Sequence, residues 1–238
     1  MKKVKMVVFD MAGTTVKDEN EVEKCFVEAA ESTGLKYTVE EIVSMMGWSK
    51  RLVFETLWRK NLQGAEESVI QEKVNISYQK FKEVLEHHYR TQPVLPADGT
   101  MELFAALKSA GIKIVTTTGF YREVTDIILA RLGWDKGLDE NYIGNADSII
   151  DLSLSSDMVK NGRPAPDMIF KAMEIFAITD PKQVIKIGDT PSDLQAGKNA
   201  NCLYSLGVTN GTHTHAQLEQ YENDGLLASL NELKKYLE

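Results

Sequence analysis

Asp10 ends an apolar run, Val4-Lys5-Met6-Val7-Val8-Phe9, and is followed at once by Met11-Ala12-Gly13-Thr14-Thr15. An apolar, β-branched run too short for a helix predicts a buried strand, and in an open parallel sheet ligands bind beyond the carboxyl ends of the strands. A carboxylate delivered there suits two tasks. It could hold a metal ion, or it could attack phosphorus to form an aspartyl-phosphate while Gly13 and the following backbone N–H groups receive the anion. A plain turn after a strand explains the stretch as well when it stands alone. Three later stretches shift the balance. Ile114-Val115-Thr116-Thr117-Thr118-Gly119 ends in hydroxyls and a glycine, uncharged donors for a phosphate, although threonine also simply fills strands. Lys160-Asn161-Gly162-Arg163-Pro164 holds a guanidinium in a stiff loop before a helix, which suits phosphate charge, although functionless surface arginines are common. Ile185-Lys186-Ile187-Gly188-Asp189-Thr190-Pro191-Ser192-Asp193 puts two carboxylates four residues apart at a strand-to-helix turn. There Asp189 can share a cation with Asp10, and Asp193 can orient its surroundings or simply favour a helix N-terminus. A few hard oxygen ligands, completed by water and a substrate phosphate, suit Mg2+.

The rest of the chain must bring these stretches together. From Val16 to Thr91 apolar positions recur at helical spacing. Val22, Phe26, Ala29 and Ala30 mark a first helix stopping near Gly34, and Ile42, Val43 and Met45 a second, capped by Thr38 with Glu41. A third, capped by Ser49, covers residues 50–62. A fourth covers 65–88, with Val69, Ile70, Val74, Ile76, Tyr78, Phe81, Val84 and Leu85 as its buried face. No strand is predicted there, so residues 16–92 form a helical domain inserted after the first strand, while 1–15 and 93–238 form an α/β core. The linker Gln92-Pro93-Val94-Leu95-Pro96-Ala97-Asp98-Gly99 is the hinge candidate. Beyond it helices (100–110, 121–132, from about 192, 215–222, 227–237) alternate with strands (112–118, 183–187, 202–208 and short ones at 142–143 and 149–150). This alternation predicts a doubly wound, Rossmann-like parallel sheet.

Composition narrows the function classes. The chain is 43% hydrophobic and 26% charged, ordinary for a globular protein. A net charge of -8 argues against a nucleic-acid partner. Cys25 and Cys202 are far apart in sequence, which speaks against structural zinc and for core packing in a reducing compartment. No apolar run approaches the ~20 residues of a membrane span, and the N-terminus turns polar too soon for a signal peptide. The expected setting is therefore the cytoplasm, with no membrane partner. The face of the fourth helix would serve a homodimer or an intramolecular bundle equally.

Taken together, Asp10 with Ala12-Gly13-Thr14, Thr118-Gly119, Gly162-Arg163-Pro164, and Gly188-Asp189-Thr190 through Asp193 resemble the haloacid dehalogenase superfamily of phosphoryl-transfer enzymes, and the helical insertion resembles that superfamily's mobile cap. The resemblance implies that Asp10 is the nucleophile, Thr118 binds the phosphoryl group, Arg163 balances charge, and Asp189 holds Mg2+ with Asp10 and the backbone carbonyl of Ala12. Most phosphatases of the superfamily carry an Asp where Ala12 stands, to protonate the leaving alkoxide. Loss of such an acid costs ~10²–10⁴-fold.

The same residues resemble the superfamily's phosphonatase (phosphonoacetaldehyde hydrolase) branch. There a cap lysine condenses with a substrate aldehyde, and the protonated imine draws electrons from the C–P bond, so no leaving oxygen needs a proton. Met46-Gly47-Trp48-Ser49-Lys50 has the pattern of that lysine segment. Lys50 is thus the implied Schiff base, and Met46 and Gly47, with Ala12, Gly13 and Gly119, the implied substrate contacts. A solvated lysine in a first helical turn is the bland alternative. Three positions depart from the branch: Val53 stands for its His, Phe120 for a Tyr and Asn20 for a Cys. His87, His88, His213 and His215 receive no catalytic role, and Trp48 either shapes the pocket or packs inside the cap. The expectation is a Mg2+-dependent hydrolase of a small phosphonate. The alternatives are a phosphatase acting on phosphate monoesters or acyl phosphates, and a binding module that has kept the motifs.

Overall fold

The computed structural model describes residues 4–237. Six parallel strands, β1 (Met6–Asp10), β2 (Lys113–Thr117), β3 (Leu152–Leu154), β4 (Val184–Gly188), β5 (Tyr204–Val208) and β6 (Gly225–Leu227), lie in the order β3-β2-β1-β4-β5-β6. This is the doubly wound order expected, with β1 at the point where the winding reverses. Both faces of the sheet are covered, so β1 is buried along its whole length. The two-residue period of a strand sends Val7 and Phe9 into one core and Met6 and Val8 into the other. On the first side lie α5 (Thr100–Ser109) and α6 (Arg122–Leu132), where Phe9 meets Phe104 at 5.2 Å and Phe104 meets Trp134 at 5.3 Å between ring centroids. On the second lie α7 (Asp167–Ile175) and α8 (Pro191–Asn199). A short α9 (His215–Leu218) joins β5 to β6.

Between β1 and α5 stand four helices: α1 (Glu21–Ser32), α2 (Val39–Ser44), α3 (Lys50–Asn61) and α4 (Glu67–Thr91). Their centre is aromatic. Phe26 stacks on Phe54 at 4.5 Å and Phe81 meets both edge-on, while the Trp58 indole N–H donates to the Ser77 hydroxyl at 2.9 Å. The chain enters and leaves this segment side by side. Lys17 N–H donates to Leu95 O at 3.0 Å, Ala97 N–H donates to Thr15 O at 2.9 Å, and Val16 bridges Pro96.

Several local expectations are corrected. Val69 and Ile76 are 42% and 48% exposed, because the buried stripe of α4 runs through Ile70, Val74, Phe81 and Leu85. Ser49 precedes α3, but its hydroxyl makes no cap bond. Thr38 and Glu41 do form the expected capping box. Residues 142–143 and 149–150 are not strands: Tyr142 has a left-handed φ of 61°, Asp139 accepts from the N–H groups of Asn141 and Ile143, and the strand beside β2 is β3 instead. The expected closing helices shrink to α9, with β6 at the sheet edge, and a 3-10 segment, Leu230–Tyr236. Among the described residues no helix is long and apolar enough to cross a membrane.

Candidate active site

Parallel register aligns the strand ends. Asp10 sits opposite Thr117 on β2 and Phe9 opposite Ile187 on β4, so Asp10, Thr118 and Asp189 leave the sheet at one edge. Asp10 is 4% exposed, and the Thr15 hydroxyl ties its carbonyl at 2.8 Å. Arg163 reaches in from the loop before α7 and sets Nη1 2.7 Å from Asp10 Oδ1, with the same nitrogen on Asp193. Asp193 also receives Lys186 Nζ at 2.7 Å and the Thr190 hydroxyl at 2.6 Å. Asp189 accepts from the Thr14 hydroxyl at 3.1 Å and from Thr212 N–H at 2.7 Å.

Charge is distributed unevenly over these carboxylates. Burial raises Asp193 in principle, but Arg163 and Lys186 hold it down at about 2. For Asp10 burial prevails over Arg163, and the charges of Asp193 and Asp189 add to it, bringing its carboxyl up to about 7. Asp189 is likewise raised by burial and by Asp193. Oxygens of the three carboxylates lie within 4.8 Å of one another. Three buried acids face the two paired cations Arg163 and Lys186: Lys186 pairs with Asp193, and Arg163 is shared between Asp193 and Asp10, so two positive charges answer three carboxylates. The unbalanced pair is Asp10 with Asp189, a donor set of hard oxygens that fits a divalent cation such as Mg2+.

Helices α2 and α3 present the facing wall. The loop between them, residues 45–49, touches the core: the Ser192 hydroxyl donates to Met46 O at 3.3 Å, and a Cβ on Gly119 would come within 2.7 Å of Gly47 O and 2.8 Å of Trp48 O. The result is a partly open chamber between this wall and the strand ends. Of the sequence-predicted residues, Asp10, Ala12, Met46, Gly47, Lys50, Thr118, Gly119 and Arg163 line it. Gly13, Asp189 and Asp193 stand behind the wall rather than in it. Lys50 is 6% exposed, and its ammonium contacts Met46 Sδ at 3.8 Å. Burial and the nearby Arg163 bring its pKa down from 10.5 to about 8, against the pull of Asp18, Asp10 and Asp189. A solvated surface lysine is therefore excluded.

A matching family model covers residues 4–201 and describes a haloacid dehalogenase-like hydrolase. This chain belongs to that family. The hydrolase is 30% identical over 232 residues to a phosphonoacetaldehyde hydrolase of Bacteroides fragilis, with 92% of this chain and 81% of that protein covered. It is 31% identical over 217 residues to the phosphonoacetaldehyde hydrolase of Bacillus cytotoxicus, covering 88% and 77%. The crystal structure of a hydrolase from Pseudomonas syringae superposes with a TM-score of 0.78 at 20% identity, covering 98% of this chain and 97% of that one.

Several residues of the hydrolase's site escaped sequence reasoning. Lys186 is the lone charge in the buried strand β4, a legible signal, yet no role was drawn from it. Asp18 and Thr212 line the chamber, and nothing in their local sequence marks them. His213 is 3% exposed, and its Nδ1 has no hydrogen-bond partner among the described residues. Trp48 and Phe120 line the chamber as well, so Trp48 shapes the pocket. Arg122, at the start of α6, is bonded to Asp126 and stacked over Tyr142 and does not line the chamber.

Proposed function

We propose that this hydrolase cleaves the C–P bond of phosphonoacetaldehyde or a closely related small phosphonate. The observation that carries the proposal is a buried lysine amine, Lys50, lining the chamber that also contains Asp10, in a chain with Ala12 where an acid would otherwise stand. The relatives named phosphonoacetaldehyde hydrolase support the same substrate class.

In this reading Lys50 condenses with the aldehyde, and the protonated imine accepts the electron pair of the breaking C–P bond. Asp10 attacks phosphorus in line, Thr118 and the backbone at Gly119 receive the phosphoryl oxygens, and Arg163 balances their charge while holding Asp10 in place. Water then hydrolyses the aspartyl-phosphate. Asp193 keeps Arg163 and Lys186 oriented. Asp10, Asp189 and the Ala12 carbonyl would hold Mg2+, which supplies charge stabilisation for the phosphoryl oxygens. Residues 16–92 act as a cap that opens about the paired segments at Val16 and Pro96, and the loop at 45–49 is its contact with the core. Borohydride added during turnover should fix substrate carbon to Lys50, found by peptide mapping. Turnover with no adduct at Lys50 would end the proposal.

A second reading, hydrolysis of phosphate monoesters or acyl phosphates, is favoured by one feature. Val53 is buried at 2% within the helical core and Phe120 offers no hydroxyl, so two polar groups of the phosphonatase pattern are missing. It predicts that Lys50→Ala keeps most activity on such esters.

A further inference from the structure

The chamber holds one carboxyl group that the reaction above leaves idle. Asp18 follows the crossing at Val16, immediately after Lys17, which turns outward to pair with Asp98 at 2.9 Å. Asp18 lines the chamber beside Lys50 and also lines a cleft on the far side of the wall with Lys17 and Asp98. It therefore stands where the chamber and the surface cleft meet. One of its oxygens is fixed by the Glu21 N–H at 2.7 Å, at the start of α1. Glu21 lines a further surface cleft with His88 and Gln92. Among the described residues Lys50 has no ion-pair partner within 4.0 Å, and Asp18 heads the carboxylates whose charge acts on it.

We propose that Asp18 is the proton donor and acceptor for the imine chemistry of Lys50, recharged from solvent through the surface cleft that it also lines. The inference rests on the phosphonatase reading above. When Lys50 Nζ adds to the aldehyde carbon, a carbinolamine forms. The Asp18 carboxyl protonates its hydroxyl, the C–O bond breaks and water leaves, giving the protonated imine and an Asp18 carboxylate. As the phosphoryl group passes to Asp10, the C–P electron pair moves into the nitrogen-bearing fragment, which becomes a neutral enamine. Asp18, protonated again from that cleft, gives a proton to the terminal carbon, and water then opens the new imine to free aldehyde and Lys50. The proton released in that opening returns to Asp18.

The electrostatics agree. Burial first, and then the neighbouring Glu21 carboxyl, raise Asp18 to about 8, while Asp18 beside it lowers Glu21 against the effect of burial. The proton therefore resides on Asp18 near neutral pH. The titratable groups that sense Asp18 are Glu21 and Cys25 on α1, Lys50 on α3 and Tyr89 on α4, and Asp189 of the core acts on it in turn.

The test follows imine formation directly, through the rate at which borohydride fixes phosphonoacetaldehyde to Lys50. With wild-type protein an adduct is expected, and Asp18→Asn should slow its formation by about 100-fold or more. Asp18→Ala should be similarly slow and be rescued by added formate, which a merely structural role for Asp18 would not produce. Asp18→Glu provides a carboxyl-bearing control for folding and should keep a pH profile with an acidic group governing its alkaline side. Trapping by Asp18→Asn at the wild-type rate, or no formate rescue of a folded Asp18→Ala, overturns the assignment. Absence of any adduct in the wild type overturns the parent reading and this assignment with it, and is told apart by appearing without mutation.

Discussion

Asp10 and Lys50 have ordinary side chains made unusual by position. Asp10 lies among three acids and two cations, and only Asp193 is fully balanced. Its replacement, Asp10→Asn, removes the attacking oxygen while keeping volume, and is expected to lower turnover on the order of 10⁴-fold in a steady-state assay. Lys50 must be neutral to attack a carbonyl. With its pKa at about 8 rather than 10.5, about one tenth of the amine is neutral at pH 7, against well under a thousandth for a free lysine. The rate of borohydride trapping at Lys50 should therefore rise with pH up to about 8 and, as Asp18 loses its proton, fall again above it. The same displacement governs stability. Between pH 8 and 10.5 the unfolded chain binds the additional proton, so this group's contribution to stability rises with pH across that window and is unfavourable below it. Chemical denaturation compared between wild type and Lys50→Met should show that slope only in the wild type.

At the scale of elements, the contact between the helical segment and the core depends on a tight backbone approach. Gly47 has φ 81°, and a Cβ there would overlap the hydroxyls of Ser192 and Thr190. Gly64 has nearly the same φ, 83°, with nothing within 4 Å of its would-be Cβ. Both alanine variants therefore incur a left-handed backbone cost of about 1 kcal/mol, but only Gly47→Ala should hinder closure. Thermal unfolding should move similarly in the two. The value of kcat should fall about 10-fold or more in Gly47→Ala alone, because closing lids complete a site and exclude water. Equal kinetics in the two variants would mean that the 45–49 loop does not govern turnover. The apolar face of α4, which the sequence leaves free to serve a dimer, is filled by α1 and α3 through Ile70, Val74, Phe81 and Leu85. Its exposed residues are Val69 and Ile76.

For the molecule as a whole, the excess of buried acid predicts metal linkage. Mg2+ at 100 times its Kd should stabilise the fold by about 2.7 kcal/mol, and Asp189→Asn should abolish most of that shift in a thermal melt. Much of this organisation is legible in residue order. A short apolar run that ends in Asp10, another in Thr118 and a third before Asp189 state their strands and their polar ends locally, and helical spacing from Val22 to Leu85 states the insertion. Strands of three residues are not legible, because β3 and β6 are too short for a two-residue period to stand out from loop or helix. Sequence alone determined which reactive groups exist and in what order the strands deliver them, since a strand's period and a motif's chemistry are properties of neighbouring residues. Tertiary structure decided which acid keeps its charge, that the Lys50 amine is buried, and that Asp18 lines the same chamber. Desolvation and Coulomb energy depend on distances between residues far apart along the chain, such as Arg163 and Asp10 or Asp18 and Lys50, and no local pattern contains those distances.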